Sequence, residues 1–173
     1  LVCDAQANSV RWIRQAPRGV FTESALGEPV LGPAHVSVCD LNQDKHPDLL
    51  VASMGVIMPN NDRIGSVVVM ENLGGGRFRN HVLAENIARV TDIRGADMNG
   101  DGRLDLVVGQ FGYAEGEIRW MENLGDWRFR SHHVLNAAGT IHTPVADFNG
   151  DGPLDFAALV SQEAEEIHLF TNT

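Results

Sequence analysis

Apolar residues come in short runs along this chain, separated by polar or glycine-containing breaks. Residues 49–52, 106–108 and 156–160 are apolar runs placed directly after Asp-rich segments. Residues 67–70, 118–121 and 167–170 follow a second break, and residues 78–83 and 129–135 follow a Gly-containing turn. Runs this short, rich in β-branched and aromatic side chains and bounded by Gly, Asn or Asp, predict β-strands. No stretch holds the 3.6-residue period of an amphipathic helix. The pattern predicts an all-β chain.

The runs belong to repeats. Residues 40–48 (DLNQDKHPD), 97–105 (DMNGDGRLD) and 147–155 (DFNGDGPLD) match one another, with first residues 57 and then 50 positions apart. Between them, MENLGGGRFRNHVL from Met70 recurs as MENLGDWRFRSHHVL from Met121. Each repeat reads as four antiparallel strands in a meander, the unit of a β-propeller blade. Residues 35–84 and 90–136 are expected to be full blades, and residues 1–26 and 141–173 partial ones, in one domain over residues 1–173. Propellers close with about 4–8 blades. The chain is therefore expected to be an excerpt of a longer propeller, or to be completed by another chain.

Charge sharpens this picture. The formal net charge is −10, from 23 acidic and 13 basic residues, and nine of the acidic ones lie in the three Asp-rich segments. That sign argues against a nucleic-acid backbone as partner, since phosphate affinity comes from clustered Lys and Arg. An apolar fraction of 43% argues against disorder. No apolar run approaches the roughly 20 residues of a spanning helix. Two cysteines, Cys3 and Cys39, leave pairing and the free state both open. The chain opens at Leu1, inside a repeat, and shows no secretion leader there.

The nonapeptide Asp-x-Asn-x-Asp-Gly-x-x-Asp puts oxygen donors at positions 1, 3 and 5, a backbone carbonyl at 7 and a further carboxylate at 9. Hard cations such as calcium take six to eight oxygens at about 2.3–2.6 Å, whereas zinc prefers nitrogen and sulfur. Gly at position 6 permits the sharp turn. The loops are not EF-hands, because position 12 is Val51, Val108 or Ala158 and strands follow. The first loop carries Lys45 at position 6, so its calcium site is expected to be the weakest.

These loops, followed by LVVG at residues 106–109, and the turns NLGxxxF at residues 72–78 and 123–129 resemble the FG-GAP/VCBS repeat family, the blades of the integrin α-chain propeller and of many bacterial surface proteins. The resemblance implies a seven- or eight-bladed propeller with Ca2+ in the strand 1–2 hairpin of several blades. The implied ligands are Asp97, Asn99, Asp101, the Arg103 carbonyl and Asp105; Asp147, Asn149, Asp151, the Pro153 carbonyl and Asp155; and Asp40, Asn42, Asp44, the His46 carbonyl and Asp48. The Phe-Gly and Gly-Ala-Pro words of the integrin form are not properly present.

Other residues carry less. The loop of residues 54–63 is about six residues longer than its counterparts. Val56, Ile57 and Met58 in it either fold over their own blade, the preferred reading, or form a contact surface for a partner. His81 recurs as His132 or His133, which points to strand packing or a solvated face. Trp12 and Trp120 recur in register and are expected in the core, with Trp127 the exposed one. Glu163, Glu165 and Glu166 read as a solvated edge. No nucleophile elbow, zinc-protease or phosphate-cradling motif is present.

The expected role is a non-enzymatic, calcium-stabilised structural, protein-interaction or adhesion module, extracellular or periplasmic. Further blades, from the same or another chain, or another protein are the expected partners. Two other classes stand beside it: part of an extracellular polysaccharide- or lipid-active enzyme, and a calcium-dependent carbohydrate-binding module.

Overall fold

The computed structural model describes residues 1–58, 60–162 and 165–173. Among them it has fifteen strands and no helix, arranged as four antiparallel sheets. The first sheet holds β1 (Val2–Asp4), β2 (Ser9–Gln15) and β3 (Phe21–Leu26). The second holds β4 (Pro33–Cys39), β5 (Asp48–Ser53), β6 (Gly65–Asn72) and β7 (Phe78–Ile87). The third holds β8 (Val90–Ala96), β9 (Asp105–Gln110), β10 (Glu117–Asn123) and β11 (Phe129–Asn136). In both four-strand meanders the strands pair in chain order.

The fourth sheet holds β12 (Thr140–His142), β13 (Val145–Ala146), β14 (Asp155–Val160) and β15 (Glu166–Phe170). Its first edge is broken in two around Pro144, which has no N–H to give to a ladder. The Pro144 carbonyl still accepts the Ala157 N–H at 2.9 Å.

The central runs are apolar on both faces because they are covered on both. Leu49 and Val51 pack with Val10 and Val30 toward the first sheet, whereas Leu50 and Ala52 pack with Ile93, Leu106 and Val108 of the third. Val107 and Ile118 then pack with Phe156 and Ala158 of the fourth. Alternate pleat positions serve alternate neighbours, so a strand buried on both sides reads as a continuous apolar run. The first strands are stitched as well: Ser37 Oγ donates to the Ile93 carbonyl at 2.9 Å, and Thr91 Oγ1 to the Thr140 carbonyl at 2.7 Å.

The tryptophans depart from expectation. Trp120 is partly buried and stacks on His132 with ring centroids 4.4 Å apart. Trp12 faces Ser24 across the ladder and is 45% exposed. Trp127 is partly buried against the junction of the second and third sheets and stacks on His81 at 4.1 Å.

Candidate metal centre

The three acidic loops join β4 to β5, β8 to β9 and β13 to β14. In each, the first carboxylate holds the turn. Asp97 Oδ1 accepts the N–H of Gly100 (2.8 Å) and of Asp101 (3.2 Å), and its Oδ2 that of Gly102 (2.9 Å). Asp147 does the same for Gly150, Asp151 and Gly152 at 2.7, 3.2 and 3.0 Å. Asp40 holds the N–H of Asp44 (3.0 Å) and of Lys45 (2.9 Å).

The amides of Asn42, Asn99 and Asn149 accept the N–H of the position-5 residue and donate to its carboxylate. The backbone N–H groups of His46 and Arg103 hold the Asp44 and Asp101 carboxyls below the usual carboxylate range. Pro153 has no N–H to offer Asp151. Arg103 also pairs with Asp101 and donates through Nε to the Asn123 carbonyl at 2.8 Å.

Position 9 is built differently. Asp48, Asp105 and Asp155 are fully buried. Their Oδ2 atoms accept the N–H of Leu41 (3.1 Å), Met98 (3.3 Å) and Phe148 (3.0 Å). Their Oδ1 atoms accept the N–H of Asn72, Asn123 and Asn172, each at 2.8 Å. Each carboxylate thereby ties its hairpin to the end of the third strand. Burial pushes the Asp48 and Asp105 carboxyls above their ordinary value, against the pull of these N–H groups.

The asparagines are residues that sequence reasoning missed as part of the site. Their side-chain amides donate to the carbonyls of Pro47 (3.0 Å), Leu104 (2.9 Å) and Leu154 (3.3 Å). The recurring Asn-Leu-Gly turn carried that signal. Asp105 has one further donor, the Trp120 indole at 3.0 Å.

The loops stand side by side. Gln43 Nε2 donates to the Gly102 carbonyl at 2.5 Å, and Asn172 Nδ2 to the Met98 carbonyl at 2.6 Å. A cleft of about 470 Å3 separates the second and third loops, with Asp97, Asn99, Gly100, Gly152 and Pro153 in its walls.

The donor set is all oxygen, which fits a hard divalent cation in kind. No hydrogen bond among the described residues reaches the carbonyls of His46, Arg103 or Pro153, the position-7 groups. The carboxylates are braced on backbone N–H groups, and no three Asp, Glu, His or Cys side chains among the described residues form a metal-holding group. A cation at positions 1, 3, 5 and 7 would draw on lone pairs that these bonds leave over, while position 9 already anchors the hairpin.

The long loop keeps its apolar side chains outside: Val56, Ile57 and Met58 are 41%, 53% and 74% exposed. Its backbone leans on the third sheet, with Arg89 donating to the Met58 carbonyl (3.3 Å) and Ala114 N–H to Asn61 Oδ1 (2.9 Å). Pro59 in this loop and Glu163 of the acidic run lie outside the described residues. His81 and His132 each meet the glutamate across the ladder, Glu71 and Glu122, at 2.9 Å, so the recurrence belongs to His132 and is one of strand packing. Cys3 and Cys39 are free.

Residues 97–158 match the family model described as an FG-GAP-like repeat. The match spans the second and third acidic loops whole and strands β9, β10 and β11 between them. No curated protein matches the chain.

Proposed function

We propose that this chain is part of a calcium-binding β-propeller, its four sheets being two full and two partial blades, and that it serves as a structural and protein-interaction or adhesion module in an extracellular or periplasmic setting, without catalytic activity of its own. One observation carries the reading: three oxygen-rich hairpins with the same hydrogen-bond circuit stand side by side on successive sheets. Asp97, Asn99, Asp101 and the Arg103 carbonyl, with their counterparts in the third loop, would hold the ions. Calcium would supply the positive charge that clustered carboxylates lack.

The end faces support further sheets. The pleat position that buries Val67 and Ile118 falls in the fourth sheet on Ile167, which is 76% exposed, with Leu169 at 55%. At the other end Val2 and Ile13 are 43% and 45% exposed. Additional blades, from this polypeptide or another, would cover both faces. The exposed trio Val56, Ile57 and Met58 is the surface on which a separate protein partner would dock.

Calorimetric titration with Ca2+ at neutral pH tests the metal reading. Strong binding in the wild type, lost in the double variant Asp97→Asn/Asp147→Asn, is expected. An absence of binding up to millimolar calcium overturns it.

A further inference from the structure

Five residues ahead of the three acidic loops stand His35, Asp92 and His142. The residue types differ but the register is one. The three side chains meet where β4, β8 and β12 run next to one another. Asp92 is 1% exposed. Its Oδ2 accepts the Thr143 N–H at 2.7 Å, the Thr143 hydroxyl at 3.3 Å and Arg94 Nε at 3.1 Å, and lies 2.9 Å from His142 Nδ1. Its Oδ1 lies 3.0 Å from His35 Nδ1. A single buried carboxylate thus lies where the first strands of the second, third and fourth sheets meet, hydrogen-bonded to Thr143 and Arg94 and in contact with His35.

The charges at this joint balance only while the imidazoles are neutral. The titratable and charged groups facing Asp92 are His35 from β4, Arg94 on β8 itself and His142 from β12. With neutral rings the carboxylate offsets the guanidinium. Protonating His35 sets a second cationic group beside Arg94 at one buried carboxylate, and like charges close together in a poorly solvated place repel. Arg94 Nη2 already lies 3.2 Å from His142 Nδ1.

We propose that His35, Asp92 and His142 form an acid-sensitive seam, which holds three sheets together at neutral pH and loosens when the His35 imidazole takes up a proton. Burial holds the His35 imidazole below its ordinary value, with Asp92 opposing and Arg94 and His142 adding to the shift. The sign follows. The fold favours the neutral ring, so stability is whole above the unfolded-state value of about 6.5 and declines as pH falls below it. The seam is independent of the calcium loops.

The test is thermal unfolding of the wild type and of His35→Asn at pH 7.5 and 5.5 with calcium saturating, a window in which exposed carboxylates stay ionised. Asn offers a fixed donor near the Nδ1 position and does not titrate. The other histidines remain in both proteins, so the difference isolates the seam. The wild-type Tm is expected to drop by about 2–4 °C more than that of the variant. Equal drops overturn the proposal. Should His35→Asn fail to fold, imidazole NMR of the wild type decides. A His35 ring titrating below the free-histidine value supports the seam, and one titrating at or above it overturns it.

Discussion

The first acidic loop and the later two share a hydrogen-bond circuit but not the backbone residues that suit it. In the second loop, positions 4 and 6 are Gly100 and Gly102, with φ of 74° and 87°; in the third they are Gly150 and Gly152, at 79° and 106°. The first loop makes the same turn with Gln43 at 61° and Lys45 at 70°. Left-handed backbone costs a non-glycine residue roughly 1–2 kcal/mol. The first loop therefore holds the shared shape under strain, and Lys45 adds a positive charge beside the oxygens. Shape here is set by the Asp and Asn circuit, and glycine lowers the cost of keeping it.

Chelation is the largest perturbation of that contrast. If the second and third loops hold calcium at a hundred times its Kd, each adds about 2.7 kcal/mol. Removal of both ions by EGTA is then expected to lower the Tm by about 10–20 °C. Calorimetry should show two strong sites and a weak third. Three equal sites would erase the distinction between the loops.

Next comes the buried anchor. Asp105→Ala leaves the Met98 and Asn123 N–H groups and the Trp120 indole without their acceptor. A loss of about 3–4 kcal/mol is expected with or without calcium, measured by urea unfolding. Asp48→Ala should lose about 2 kcal/mol, because Val69 stands where Trp120 does and brings no donor. Equal losses would show that the indole bond contributes nothing.

Much of this was legible in the sequence, and the remainder was hidden for physical reasons. Strands such as β5 and β9 showed as apolar runs because both their faces are covered. The acidic loops showed because one Asp and Asn pattern recurs. Gln43 was missed because position 4 looks permissive until its φ is known. The joint at Asp92 was missed because a repeat search seeks identity, and His35, Asp92 and His142 match only in register. Trp12 was misread because its counterpart Trp120 finds a carboxylate in the acidic loop and a stacking ring in His132. The first sheet offers Trp12 neither of these. Trp127 lies in a turn that looks solvent-facing, but a φ of 59° leans its ring onto His81.

Grafting glycine into the first loop tests the strain directly. Lys45→Gly is expected to stabilise the protein by about 1 kcal/mol without calcium, even though glycine loosens the unfolded chain; Gln43→Gly gains less, because it also gives up the side-chain hydrogen bond to the Gly102 carbonyl. If the first loop binds calcium, the double variant should also bind it more tightly there. Gly102→Ala is the converse: its Cβ would meet nothing within 4 Å, so the expected loss of about 1 kcal/mol reports backbone conformation alone. A neutral outcome for Gly102→Ala would remove strain as the reason the loops differ.

The smallest effect reads the first loop from within. Cys39 precedes Asp40, and its thiol is pushed up to about 12, mainly by burial and further by Asp48 and Asp40. A raised thiol value means little thiolate, so iodoacetamide should label Cys39 far more slowly than a free thiol at pH 8. Calcium in the first loop would offset the two carboxylates and leave burial in place, so labelling should quicken only severalfold. In the wild type that change should need far more calcium than the strong sites require. In Gln43→Gly/Lys45→Gly it should follow them closely. The second and third loops have Ala96 and Ala146 at this place and stay silent, so the rate at Cys39 reports one loop alone. A rate indifferent to calcium in the glycine variant would mean that the first loop keeps its shape without ever binding an ion.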